Sequence, residues 1–261
     1  MYDFEFVKPA SLAEAVAAMG RDGAQALSGG MTLLPTMKQR LNQPGSLVSL
    51  NGLAELKGVS VSGGVLTIGA ATTHATVARE AGQYPALAAL AGQIGDPMVR
   101  NRGTIGGSLA NNDPAACYPS AVLASGATVV TNQREIAADD YFQGLFSTAL
   151  EEGEIITAVK FPIPQKAAYV KFAQPASRFA LTGVFVAKGP AGVRVAVTGA
   201  SEDGVFRWTE AEEALSANFA PSALDGLTVE ADGMIGDLHG TPEYRAHLVK
   251  VITKRAVAAA G

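Results

Sequence analysis

The 261-residue sequence predicts an α+β fold, and three observations carry that prediction. The first fifty residues alternate helical and strand patterns around a Gly-Gly turn. The middle of the chain then switches to hairpins. The last third reads as consecutive strands followed by helices. Strands and helices that segregate in this way point to an α+β architecture and away from a regular βαβ wheel.

Taken in order, "SLAEAVAAM" (11–19) predicts a helix, with Ser11 as N-cap and Glu14 three residues on as a capping box. "AQAL" (24–27) is a short buried strand that ends in "SGG" (28–30). Leu34, Met37 and Leu41 fall at i, i+3 and i+7, the apolar seam of a helix that "NQPG" (42–45) stops. "SLVSL" (46–50) is a strand. "GVSVSGGVLTIGA" (58–70) predicts a hairpin turning at Gly63-Gly64. Two small helices follow, at 74–81 and 85–92, and a third near 115–124. "ATVVTNQREIAA" (127–138) is a second hairpin and "EIITAVKFP" (154–162) a further strand. "AYVKFA" (168–173), "FALTGVFVAK" (179–188) and "GVRVAVTGAS" (192–201) continue the β pattern. "TEAEEAL" (209–215) and the segment after Pro242 are helical, so residues 165–261 read as a separate strand-then-helix module.

Composition removes several function classes. Twenty basic against 24 acidic residues give a net charge of −4, which argues against a nucleic-acid partner. Charged residues are only 17% of the chain, a fraction that suits a protein burying surface against partners. The single cysteine, Cys117, forms no internal disulfide and cannot supply the four thiolates an iron–sulfur cluster usually takes. No apolar run approaches the ~20 residues of a membrane span, and "MYDFEFVKPASLAEAV" lacks the pattern of a signal peptide. A cytoplasmic protein is the expectation.

Two glycine-rich segments stand out. "SGGMT" (28–32) joins a strand to a helix start. Free amides at a helix start favour negative charge, and glycines let a phosphate approach them. An ordinary tight turn capped by Ser28 or Thr32 explains the same residues. "RNRGTIGGSLANND" (100–113) has three glycines within five positions. Either its backbone lies against a flat ligand, anchored by Ile105 and Leu109, or it is a bulged strand and irregular loop. Arg100 and Arg102 are phosphate contacts or merely solvated. His74, in "ATTHA" (71–75), reads first as a helix-start residue behind a Thr72 or Thr73 cap, and otherwise as a ligand or cofactor contact. No His or Cys has partners at metal spacing, and no nucleophile elbow is present. The pair of glycine segments suggests one dinucleotide with a flat ring, gripped from two sides.

"SGGMTLLPTMKQRLNQPGSLVSLNGLAELKGV", "IGAATTHATV", "IGDPMVRNRGTIGGSLANNDPAACYP" and "KFAQPASRFALTGV" occur in that order. Together they resemble the FAD-binding medium subunit of molybdenum hydroxylases, the xanthine dehydrogenase and aerobic carbon monoxide dehydrogenase family. The resemblance runs through essentially the whole chain. It implies a vanillyl-alcohol-oxidase-type FAD-binding fold: an N-terminal α/β subdomain (1–57), a second α+β subdomain (58–164), and a C-terminal sheet-plus-helix domain (165–261). FAD is implied as a non-covalent cofactor that carries the chemistry, with no catalytic side chain.

Carried over residue by residue, the resemblance puts a first pyrophosphate loop at Ser28, Gly29, Gly30, Met31 and Thr32, flanked by Leu27, Leu33 and Leu34. A second falls on Thr104, Ile105, Gly106, Gly107 and Ser108. Ile94 and Ile156 match apolar positions at the flavin, Lys171 matches a lysine at the flavin end, and His74 joins the cofactor set. There are two departures. The first loop more often reads AGGQS, and Cys117 stands where the family has an aspartate or glutamate that bonds the cofactor. The implied partners are a small subunit with two two-iron, two-sulfur clusters and a large subunit with the molybdenum cofactor, paired as a dimer of trimers. The implied acceptor is NAD, a quinone or dioxygen, reached in the cytoplasm or at the inner membrane face. The rival readings are a stand-alone FAD-dependent NAD(P)H reductase and a cofactor-free scaffold.

Overall fold

The computed structural model describes residues 1–261. Its N-terminal sheet is parallel, in the order β1 (Glu5–Val7), β3 (Ser46–Ser49), β2 (Ala24–Leu27). Helix α1 (Leu12–Met19) connects β1 to β2. The Ser11 hydroxyl accepts from the Glu14 N–H, while the Glu14 carboxylate reaches back one residue beyond the cap, to the Ala10 N–H. Helix α2 (Leu33–Lys38) connects β2 to β3 and is shorter than the apolar spacing predicts. Arg40 takes φ +60° and the Leu41 N–H bonds back to Thr36 O, so the chain turns out of the helix before "NQPG". Leu41 therefore leaves the seam and stands 75% exposed.

The second sheet is antiparallel, in the order β4 (Val59–Ser62), β5 (Val65–Gly69), β10 (Ile156–Pro162), β6 (Thr128–Thr131), β7 (Glu135–Ala137). The β4–β5 hairpin turns on Gly63 and Gly64, both at positive φ, as a two-residue turn requires. Between β5 and β6 the chain inserts five helices: α3 (His74–Glu80), α4 (Pro85–Gly92), α5 (Pro97–Arg100), α6 (Ile105–Asn111) and α7 (Tyr118–Ala124). The glycine-rich stretch after Arg100 is thus neither a bulged strand nor an irregular loop. Thr104 caps α6, and Thr72 O and Ala70 O accept from its first amides, so the helix forms despite the poor propensity of Gly106 and Gly107. A one-turn helix α8 (Ala138–Tyr141) and a small ladder, β8 (Phe142–Gly144) with β9 (Ser147–Thr148), complete this region.

The third sheet is an antiparallel meander: β11 (Lys166–Ala173), β12 (Ala180–Gly189), β13 (Gly192–Ser201), β14 (Gly204–Arg207). Helices α9 (Thr209–Ala217) and α10 (Pro242–Ala260) follow it. The sheet buries both faces, which is why β12 is a continuous apolar run. Val184, Val186, Val195 and Val197 point one way, into a core with Val249 and Ile252 of α10. Tyr169, Phe185, Ala187 and Ala196 point the other way, into the core built by α4, α6 and α7. The strand-then-helix module packs against the region before it. One of its faces completes the core of the preceding region.

Candidate functional site

The loop after β2 and the start of α6 meet at backbone contact. A Cβ on Gly29 would lie 2.3 Å from Arg102 O and 2.7 Å from Gly103 Cα, so only glycine permits the crossing. The Ser28 and Thr104 hydroxyls share a hydrogen bond at 2.8 Å, and Asn51 Nδ2 donates to Ser28 O at 2.7 Å. Two segments, joined here across 76 residues of sequence, are thereby locked into one wall.

That wall borders a cleft of ≈ 730 Å³, a volume typical of small-molecule sites. Leu27, Ser28, Gly29, Gly30, Met31, Thr32 and Leu33 line it from the first loop. Thr104, Gly106, Gly107 and Ser108 line it from the second. His74, Ile94, Cys117, Ile156 and Lys171 complete the predicted set. Two predicted residues do not reach it. Ile105 points inward and is fully buried in the core, because it lies on the face of α6 opposite Gly107. Leu34 packs beneath the loop, where a Cβ on Gly30 would meet its Cδ1 at 2.9 Å.

The two glycine loops offer different chemistry. The N–H groups of Ser28, Gly29, Gly30, Met31 and Thr32 find no acceptor within the chain, and Gly30 takes φ +71° to turn this run toward α2. Such a run of free donors at a helix start is a seat for an anion. The second loop has its amides engaged from Ile105 onward. Ile105 N–H donates to Thr72 O, Gly106 N–H to Ala70 O, and Gly107 N–H to Thr104 Oγ1 at 3.2 Å. It contributes shape instead. Gly106 has no room for a Cβ against Ala70 and packs α6 onto the second sheet. Gly107 is exposed on the cleft side, where a Cβ would meet nothing closer than Thr104 Oγ1 at 3.0 Å. Its missing side chain leaves the cleft wall flat.

His74 is the first residue of α3 behind a Thr73 cap, and it also borders the cleft. Its ring tilts against Tyr118 at 5.3 Å, and a Cβ on Gly103 would come within 2.5 Å of its Nε2. Burial, reinforced by the Arg100 charge, lowers its pKa to about 4, so the imidazole is neutral at physiological pH. Lys171 Nζ donates to Gln93 O and Arg178 O, each at 2.7 Å, and to Cys117 Sγ at 3.6 Å. Cys117 therefore keeps its place in the cleft wall, beside the one lysine that lines it. On the opposite rim Glu154 is buried. Desolvation pushes its carboxyl up, but hydrogen bonds from Arg134 and Thr131 outweigh that and bring its pKa to about 2. Its bonds to Thr131 and Arg134 hold the β6–β7 turn, and the Ile155 N–H donates to Asn132 Oδ1 beside them.

Sequence reasoning missed Asn111 at the end of α6, Asp113 and Ala115 just after it, and Ser177 and Phe179 after β11, all of which line the cleft. Their signal was present: both groups lie within the quoted stretches "NNDPAACYP" and "QPASRFALTGV".

A parallel N-terminal unit and an antiparallel one, clasping a dinucleotide-sized cleft between a free-amide loop and a flat glycine face, define a vanillyl-alcohol-oxidase-type FAD-binding protein. Residues 2–164 match the family described as the FAD binding domain in molybdopterin dehydrogenase, and the chain belongs to it. The chain is 34% identical to the nicotine 6-hydroxylase medium subunit of Paenarthrobacter nicotinovorans, across 98% of this chain and 96% of that one. It is 32% identical to the carbon monoxide dehydrogenase medium chain of Hydrogenophaga pseudoflava, with the same coverage. Carbon monoxide dehydrogenase from that organism superposes with a TM-score of 0.90 over 99% of this chain and 97% of the other, at 32% identity. Quinoline 2-oxidoreductase from Pseudomonas putida 86 superposes with a TM-score of 0.89, at 30% identity, with the same coverage. The chain is an oxidoreductase subunit that binds FAD. No helix is long and apolar enough to cross a membrane.

Proposed function

We propose that this chain is the electron-transfer subunit of a molybdenum-dependent hydroxylase. It takes electrons from iron–sulfur clusters on a small subunit and passes them to an external acceptor. The observation that carries this reading is the pinned pair of glycine loops, one presenting free amides and the other a flat face to the same cleft. Bound FAD supplies reversible one- and two-electron chemistry there. The residues 28–32 hold its pyrophosphate through backbone N–H groups, and Gly107 lets it approach α6. Met31 and Thr32 serve as well as other side chains would, because the donors are main-chain. Ile94, Ile156 and Lys171 border the flavin end, where the lysine charge favours the reduced, anionic form. The clusters belong to the small subunit, since one cysteine cannot ligate them. The molybdenum cofactor belongs to the large subunit. The reading divides the chain into units at 1–57, 58–164 and 165–261, and makes the complex a cytoplasmic dimer of trimers.

Co-expression with candidate partners, followed by sizing and metal analysis, tests this reading. The expected product is a complex containing molybdenum, iron and FAD, with no hydroxylase activity in the isolated chain. Rapid reduction of the isolated, flavin-loaded chain by NADH, without any partner, would support a stand-alone reductase instead.

A further inference from the structure

The free amides of residues 28–32 serve an anion only if they face the cleft, and a side chain outside the cleft fixes the direction of one of them. Asn51 Nδ2 donates to Ser28 O at 2.7 Å. No backbone N–H donates to that carbonyl, so Asn51 is its one partner in the chain. Leu50, Ser28 and Gly29 line the cleft but Asn51 does not, which puts Asn51 behind the loop. The Ser28–Gly29 peptide is trans, and a trans peptide holds its C=O and N–H on opposite sides. With Ser28 O drawn back to Asn51, the Gly29 N–H points away from Asn51, toward the cleft.

Asn51 is itself well placed to do this. It lies in the turn after β3, closed by the Leu53 N–H donating to Leu50 O at 3.2 Å. The Leu50 N–H donates to Leu27 O at 2.9 Å, one residue before Ser28, so turn and loop are in register. Leu50 and Leu53 are buried in the core of the N-terminal unit, which anchors the turn on both sides of Asn51. From across the loop, Ser28 Oγ pairs with Thr104 Oγ1 at 2.8 Å. Ser28 is thus held through its hydroxyl from α6 and through its carbonyl from Asn51. Remove the second hold, and no hydrogen bond fixes the plane of the peptide that presents the Gly29 N–H.

We infer that Asn51 is a positioning residue for the first glycine loop: by holding Ser28 O it aims the Gly29 N–H at the pyrophosphate of the cofactor. This rests on the reading that residues 28–32 hold the pyrophosphate of FAD. Asn51 acts through the peptide it orients, not by touching the cofactor.

The test compares the full wild-type chain with Asn51→Leu and Asn51→Asp. Leucine is close to asparagine in size and uncharged but suits a turn poorly, whereas aspartate keeps the turn preference and adds a charge. What both variants lose is the N–H donor. FAD affinity is read by flavin fluorescence and expressed per folded chain, with urea unfolding of the apo-protein as the measure of folding. The loop is read by amide NMR with and without saturating FAD. In wild type the Gly29, Gly30 and Met31 signals are expected to shift when FAD binds. Both variants should bind FAD at least about fivefold more weakly, the scale of one lost hydrogen bond. Their Gly29 signal should lose its wild-type response to FAD, while the Gly107 signal keeps its own. Unchanged FAD affinity in both variants overturns the positioning role. Weaker binding with the Gly29 response intact at saturation overturns it too, and makes Asn51 a structural residue. A wild-type chain that binds FAD without shifting the amides of the first loop overturns that loop as the pyrophosphate seat. One that takes up no FAD overturns the FAD reading itself, and both results are seen before any variant is made.

Discussion

Replacing Gly107 with alanine separates the fold from the cofactor site. Gly107 lies in the first turn of α6 with ordinary helical backbone, and its Cα faces the cleft. Alanine in place of a helical glycine returns about 0.8–1.0 kcal/mol. Against this, the new Cβ sits 3.0 Å from Thr104 Oγ1, which is held by Ser28 and must shift by a few tenths of an ångström. Weakening that hydrogen bond costs about 0.5–1.5 kcal/mol. The two effects offset, so urea unfolding of the apo-protein should change by less than about 1 kcal/mol. The methyl group, however, would occupy the cleft surface proposed for the pyrophosphate. FAD affinity, read by quenching of flavin fluorescence, should fall at least about tenfold, which is ~1.4 kcal/mol. Gly29→Ala is the contrasting variant. Its Cβ would stand 2.3 Å from Arg102 O, so the loops must separate, and both stability and FAD binding should drop. Unchanged FAD affinity in Gly107→Ala would refute the placement of the cofactor on α6. An apo-protein destabilised by several kcal/mol would refute the claim that this glycine serves the ligand rather than the packing.

Three further outcomes follow from the site. His74 takes a proton near pH 6.5 when unfolded but only near pH 4 when folded, so acid favours the unfolded chain. Stability from this group is complete above pH 6.5 and falls with pH, by about 2 kcal/mol at pH 5, and the loss saturates below pH 4. Urea unfolding of wild type and His74→Gln between pH 8 and pH 5 checks this, and parallel curves would contradict it. Cys117→Asp puts a carboxylate where Sγ now lies 3.6 Å from Lys171 Nζ, and should tighten FAD binding in an apo-protein titration. Weaker binding would mean the pocket is built around the thiol. Acid precipitation should leave the flavin in the supernatant. Flavin retained in the pellet would show a covalent link, with His74 the residue to examine first.

Much of this protein is decided by sequence alone, wherever a local rule has no competitor. The hairpin at Gly63-Gly64, the helix starts at Ser11 and Thr73, and the helix opened by Pro242 rest on turn and cap chemistry confined to a few neighbouring residues. Both glycine segments border the cleft, although their residues alone left an ordinary turn and an irregular loop open beside a ligand-facing wall. The sequence could not say which glycines face the ligand and which face the protein. Gly29, Gly103 and Gly106 are required by Arg102, His74 and Ala70, contacts made across the fold, whereas Gly107 faces the cleft and would meet only the Thr104 hydroxyl closely. Nor could it show that the helix at Thr104 would form through two glycines, because Thr72 O and Ala70 O, which steady its first amides, arrive from another strand end. The seam read at Leu41 failed for the same kind of reason: a left-handed Arg40 ends the helix one turn early. Arg100, Lys171 and Arg178 meet beside the cleft from α5, β11 and the turn after β11. Only tertiary packing brings those charges together, since no local pattern encodes their meeting.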